Sequence, residues 1–183
     1  GPGAGPVLTG LAGGLVSSTA VTVSAARLSA HGSAAGPQTA AVGAAQTVMC
    51  LRIVVVAGVL NPGLVPLLLP ALGAAAAAAL LGAALLVRAA AHAKARDGDG
   101  PPPKAPDDLG TAIVFAAMLA GVMLAVHYAR SWFGVSGFYA TAALAGLVDV
   151  DAITVTAATL DDTPAALAVA AILLAAGVNS LIK

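Results

Sequence analysis

Residues 146–160 read GLVDVDAITVTAATL, placing Asp149 and Asp151 two positions apart in a run that is otherwise almost wholly apolar. A lipid-facing helix has no use for a carboxylate. A charged side chain at mid-bilayer costs ~2.5–3.5 kcal/mol on insertion scales. Two on one span strain its insertion unless they are protonated, paired or bound to a cation. A near copy without the acids, GLVSSTAVTVSAARL, occupies residues 14–28.

The rest of the chain explains why membrane depth is the relevant setting. Hydrophobic residues make up 60% and charged residues 9%, against about a quarter charged in a soluble domain. Such a chain cannot cover itself with a hydrated surface, so it reads as an integral membrane protein. The formal net charge of zero leaves no basic footprint for nucleic acid. All the acids are aspartates, and the single Cys50 excludes a disulfide framework or cysteine-based zinc site within one chain. The opening GPGAGP lacks the basic region and apolar core of a signal peptide. The chain starts without methionine, as a processed protein or a piece of a longer one does.

A spanning helix needs about 20 apolar residues, and six stretches qualify: about 7–28, 38–60, 64–88, 109–130, 137–160 and 164–182. Between them lie SAHGSAAGP, the tight turn NPG at 61–63, the Pro-rich charged connector AHAKARDGDGPPPKAPDD, RSWFGVSGFY and DDTP. In the last, Asp162 or Thr163 is the expected cap and Pro164 the first helical turn. The expected architecture is therefore an all-α polytopic membrane protein of about six transmembrane helices. It forms one membrane domain over 1–183: a first three-span repeat at 1–90, a cytoplasmic linker at 91–108 and a second three-span repeat at 109–183.

If all six cross, Arg27, Arg88, Lys94, Arg96 and Lys104 share one side, with Arg130 and Lys183 on the other. The positive-inside rule makes the first side cytoplasmic and puts the N-terminus outside. Trp132, Phe133, Phe138 and Tyr139 then gather at the outer boundary as an aromatic belt.

Aligned without gaps, residues 14–28 and 146–160 pair Gly14 with Gly146, Leu15 with Leu147, Val16 with Val148, Thr22 with Thr154 and Leu28 with Leu160. The polar pairs carry more weight than apolar identities: Ser17 faces Asp149, Thr19 faces Asp151, and Ser24 faces Thr156. TVMCLRI and GVNSLIK align more loosely, Val48 with Val178 and Leu51 with Leu181. These pairings point to an internal duplication. Counting spans makes the repeats parallel, and one re-entrant hairpin would invert them.

At about 100° per residue, Asp149 and Asp151 point to nearly opposite sides of a regular helix. Either one faces a cavity and the other a neighbouring helix, or the first and fifth helices are broken at mid-membrane. Unwound backbone at that depth is tolerated only where it lines a cavity or is buried in protein. Arg52 is the expected counter-ion, with Gln46 and Asn179 as further polar support at depth. Buried Asp–Arg pairs and lone Ser or Thr residues also glue helices together without transporting anything.

These residues resemble a known family. GGLVSSTAVTVSAARLS, MCLRIVVVAGVLNP, LAGLVDVDAITVTAATL and AILLAAGVNSLIK are similar to a membrane domain of unknown function (DUF4010), which often follows an MgtC/SapB-type region in bacterial proteins. The resemblance covers almost the whole chain, without the N-terminal MgtC-like helices. It implies the helical fold, the bacterial inner membrane and, by association alone, ion homeostasis, with magnesium the usual guess.

Other motifs carry less. His31, His92 and His127 are far apart and read as interfacial residues, and DGDG at 97–100 lacks the remaining ligands of a calcium loop. Gly10 and Gly14 suit close helix packing, and Pro62, Pro66 and Pro70 suit a kinked or locally opened third span. No nucleophile elbow, phosphate loop or zinc motif is present, and an enzyme is not expected. An intramembrane aspartyl protease takes its two acids from different helices.

The leading expectation is cation transport. Asp149 and Asp151 would be the charged, metal-binding oxygens, with Ser17, Ser18, Thr19, Thr22 and Thr154 as neutral ones for Mg²⁺ or Na⁺, or as a proton relay. The alternative is a non-transporting scaffold or regulator that assembles through small-residue faces and Asp–Arg contacts. A homodimer, the lipid bilayer and an MgtC-like membrane region are the expected partners.

Overall fold

The computed structural model describes residues 4–30, 35–92, 109–160 and 163–183, and among them every regular element is helical, with no strand. The helices are α1 (Ala4–Val16), α2 (Ser18–Ala30), α3 (Ala35–Leu60), α4 (Val65–His92), α5 (Leu109–Val148), α6 (Asp151–Thr159) and α7 (Ala165–Ile182), with a 3₁₀ turn at Pro62–Leu64. His31, the acidic motif at 97–100, Lys94, Arg96, Lys104 and Asp162 lie outside the described residues, as does most of the expected 91–108 linker.

Runs of alanine and leucine favour helix intrinsically, and a helix satisfies its own backbone where water is scarce. Among the described residues, three helical stretches are long and apolar enough to cross a membrane: Ala35–Leu60, Pro62–Ala89 and Ala165–Ile182. The expected span 109–130 is helical throughout, within α5, and two others take a different form for identifiable reasons. The stretch 7–28 divides at Ser17 into two 13-residue helices, each about 20 Å long against a hydrocarbon core of about 30 Å. The stretch 137–160 divides at Asp149 and Val150.

The break expected within RSWFGVSGFY reduces to one residue. Helix continues on both sides of Gly134, whose φ of 57° and ψ of −133° belong to glycine territory. At NPG, the Asn61 side chain accepts from Gly63 N–H at 3.2 Å, and Pro62 starts the 3₁₀ turn. Pro70 lies inside α4 without stopping it. At DDTP, the Pro164 carbonyl accepts from Leu167 N–H at 2.9 Å and Ala168 N–H at 3.1 Å. Pro164 itself therefore stands at the cap, not in the first turn. Thr163 Oγ1 is buried and caps nothing among the described residues.

The chain divides into two compact units, the first Gly1–Arg52, Leu72–Pro103 and Lys183, the second Ile53–Ala71 and Lys104–Ile182. In the first unit, α1 lies against α3 through glycine. A Cβ on Gly10 would collide with the Ala41 carbonyl, and one on Gly14 would sit 2.8 Å from Ala45 Cα. Ala40, Ala41, Ala44, Ala45, Met49 and Cys50 form the buried face of α3 there. Thr47 Oγ1 donates to the carbonyls of Gly43 at 3.0 Å and Ala76 at 3.3 Å, tying α3 to α4.

In the second unit, α7 packs on both α5 and α6. The closest approach is again at glycine. A Cβ on Gly146 would collide with the Ala175 carbonyl and lie 2.9 Å from Ala175 Cα. Phe138, Ala142, Ala145, Val150, Ile153, Ala171, Ile172 and Ala175 fill the core.

Candidate functional site: a broken helix in each unit

The aligned sequences break at aligned places. In the first unit the helix is interrupted at Ser17, between α1 and α2, although Ser17 N–H still donates to Gly13 O at 2.8 Å and Ser17 O accepts from Val21 N–H at 3.2 Å; in the second it is interrupted at Asp149 and Val150, between α5 and α6. A break leaves carbonyls at the end of one helix and N–H groups at the start of the next without intrahelical partners. The two units treat these orphan groups differently, and the difference lies in side chains.

In the first unit Ser17 Oγ accepts from Ala20 N–H at 3.2 Å, an N-cap for α2. Arg52, near the middle of α3, reaches the carbonyl end of α1. Its Nη1 donates to Leu15 O at 3.0 Å and Val16 O at 3.4 Å. Ser18 is buried, and its Oγ accepts from Lys183 Nζ at 2.5 Å; Lys183 groups with this unit and also lies 3.4 Å from Met49 Sδ. Thr22 Oγ1 donates to Ser18 O at 3.0 Å. Thr19 and Gln46 are half-buried on α2 and α3. This break therefore holds two of the chain's own cationic side chains.

In the second unit the break is built around Gly146. Its carbonyl would meet Val150 N–H in a continuous helix. Val150 N–H donates to Asp149 Oδ1 at 2.9 Å, and the Gly146 carbonyl accepts from Asn179 Nδ2 at 2.8 Å. One lost backbone bond is thus replaced by two side-chain bonds, one from the aspartate in the break and one from α7. Asp149 N–H still closes the last turn of α5 on Ala145 O at 2.8 Å.

Asp149 and Asp151 are both half-buried, and Asp151 stands in the first turn of α6. A negative charge there complements the positive end of the α6 dipole. Thr154 is completely buried; its Oγ1 donates to Val150 O at 2.8 Å. Thr156 Oγ1 donates likewise to Ala152 O at 2.8 Å. Such back-bonding uses the hydroxyl proton and leaves the oxygen lone pairs as acceptors.

The residues anticipated from the sequence fall into two groups. Asp149, Asp151, Thr154 and Asn179 belong to the α5–α6 break. Ser17, Ser18, Thr19, Thr22 and Arg52 belong to the α1–α2 break. Two features escaped sequence reasoning: the Asn179–Gly146 bond and the lysine on Ser18. The first had a signal, since pairing Val48 with Val178 sets Met49 against Asn179, and an amide in place of a thioether is a polar exception.

Among the described residues no three histidine, cysteine or acidic side chains cluster as a metal centre would require. A cation at the α5–α6 break would therefore depend on carboxylates together with amide, hydroxyl and backbone oxygens.

Comparison with known proteins places the whole chain. The profile of a domain of unknown function (DUF4010) matches residues 1–183. A protein of Aquifex aeolicus (strain VF5), described only as uncharacterized, is 31% identical over 161 residues, covering 85% of this chain and 68% of its own length. No solved structure matches.

Proposed function

This chain belongs to the DUF4010 family, which carries no assigned activity, and we propose from the broken helix itself that it moves cations across a membrane. The observation that carries the reading is the pair of carboxylates at the lapse between α5 and α6, Asp149 within it and Asp151 at the start of α6, in a chain so poor in charge.

Physical chemistry supports the assignment in three steps. Intramembrane acids are expensive and are kept where they meet ions, protons or partners. Discontinuous helices put backbone carbonyls and a helix C-terminus at the same depth, an arrangement that suits cations. The α5–α6 break supplies both kinds of oxygen, charged from the aspartates and neutral from Thr154 and the end of α5. The bacterial inner membrane is the proposed location.

Flux into liposomes tests the reading. The protein carrying Asp149→Asn and Asp151→Asn together should lose cation uptake while retaining its helical content. Uptake equal to that of the unsubstituted protein removes the proposal. An assembly role would then be favoured by the close glycine–alanine packing of α1 on α3 and of α5 on α7.

A further inference from the structure

Two donors compete for the Gly146 carbonyl. In a continuous helix it would take Val150 N–H, four residues on. Here it takes Asn179 Nδ2 at 2.8 Å, and Val150 N–H turns to Asp149 Oδ1 at 2.9 Å. The helix is otherwise close to resuming. Asp149 N–H still donates to Ala145 O at 2.8 Å and Thr154 N–H to Val150 O at 3.0 Å. Val150 itself, at φ −90° and ψ −20°, already has right-handed helical backbone. What the interruption withholds is the run of bonds from Val150, Asp151 and Ala152 N–H to the Gly146, Leu147 and Val148 carbonyls.

Asn179 holds its place against an unfavourable balance. It is only 3% exposed, and its Oδ1 meets no hydrogen-bond donor among the described residues. A buried acceptor left unmet destabilises the fold, so what the side chain contributes is its other end. A carbonyl can only accept, which makes Nδ2 the atom on Gly146 O. Glycine permits the approach: a Cβ on Gly146 would collide with Ala175, one turn before Asn179 on α7. In the first unit Gly14 meets Ala45, and one turn further on stands Met49, which has no donor. There the Ser17 cap and Arg52 attend to the helix ends instead.

We propose that Asn179 is the positioning residue of the α5–α6 break: by occupying Gly146 O its amide keeps Val150 N–H from closing the helix, and the open form is the one that takes cations. The proposal rests on the transport reading above and adds the residue that keeps its site in working form. Closing the helix would return the Leu147 and Val148 carbonyls to intrahelical bonds. It would also set Asp149 and Asp151 on nearly opposite sides of a regular helix. Neutral oxygens would be withdrawn and the charged ones separated.

The test is amide hydrogen exchange on the purified full chain in detergent, beside cation uptake into liposomes. In the unsubstituted chain Asp151 and Ala152 should exchange faster than Thr154, whose N–H is bonded to Val150 O. In Asn179→Leu, similar in size but unable to donate, Val150, Asp151 and Ala152 should exchange about tenfold more slowly as the helix closes. Uptake should fall in the same variant. A side chain that merely glues helices predicts the opposite sign, faster exchange around the lost bond. Unaltered or faster exchange at these amides in the folded variant overturns the proposal. Protection of Asp151 and Ala152 equal to that of Thr154 in the unsubstituted chain overturns it as well. Should Asn179→Leu fail to fold, Asn179→Met carries the same expectation, methionine being buried at the corresponding position 49. Slower exchange with uptake intact would keep Asn179 as the hold on the helix and overturn its link to transport. Uptake lost in the double aspartate variant beside unaltered exchange in Asn179→Leu would remove the role of Asn179 and leave transport standing.

Discussion

Asn179 Nδ2 lies 2.8 Å from the Gly146 carbonyl, in the place where a continuous helix would put Val150 N–H. The break between α5 and α6 is thereby held open by a side chain from another helix, and Val150 N–H turns to Asp149 Oδ1. Structure and charge can be separated at this point, because an amide and a carboxylate offer the same acceptor oxygen.

Asp149→Asn should keep the hydrogen bond to Val150 N–H and so leave stability nearly unchanged, while cation uptake falls. Asp149→Ala should lose both, with a stability cost of about 1 kcal/mol. Thermal unfolding in detergent beside liposome uptake distinguishes the two. Equal unfolding temperatures for the alanine and asparagine variants would show that the bond does not matter.

Gly146→Ala should destabilise the protein by about 1–3 kcal/mol, since the new methyl meets Ala175 backbone that cannot move aside cheaply. Gly177→Ala in α7 is the matched control. Nothing lies within 4 Å of a Cβ there, and it should be neutral or stabilising by about 0.4–1 kcal/mol. The same unfolding assay checks both.

Arg52→Met should uncap the Leu15 and Val16 carbonyls and cost about 1.5 kcal/mol, the lower end for charged hydrogen bonds because this contact is partly exposed. Amide exchange should quicken at the end of α1 and the start of α2. Arg52→Lys, retaining charge with one fewer donor geometry, should recover part of the loss.

Thr154→Val should cost only about 0.5–1.5 kcal/mol, since Val150 O still accepts Thr154 N–H at 3.0 Å. Cation uptake should fall more than stability does, and Thr154→Ser should restore it. Uptake that simply follows the unfolding temperature in all three proteins would assign Thr154 to packing alone.

Much of this architecture was legible in the residues. Apolar length located α3, α4 and α7, Asn61 and the following Pro-Gly fixed a turn, and the two acids in GLVDVDAITVTAATL made a break one of two readings, the one seen at Asp149 and Val150. The six apolar stretches were less informative about continuity. Breaks were expected in the first helix and within RSWFGVSGFY, but only the backbone places the first at Ser17 and reduces the second to a kink at Gly134. Arg52 was recognisable as a cation at depth, but its bonds to the Leu15 and Val16 carbonyls depend on where α1 ends, which composition does not show. Asn179 was recognisable as polar at depth, but its bond to Gly146 depends on two helices meeting at a glycine, a tertiary fact.

The most direct measurement is an anomalous scattering map of the crystallised protein soaked in thallous ion, a heavy stand-in for monovalent cations. The account predicts a peak beside Asp149 and Asp151 at the α5–α6 break, with no peak at Leu15 O and Val16 O, where Arg52 already sits. A map with no thallium at the α5–α6 break under conditions that support uptake would contradict it.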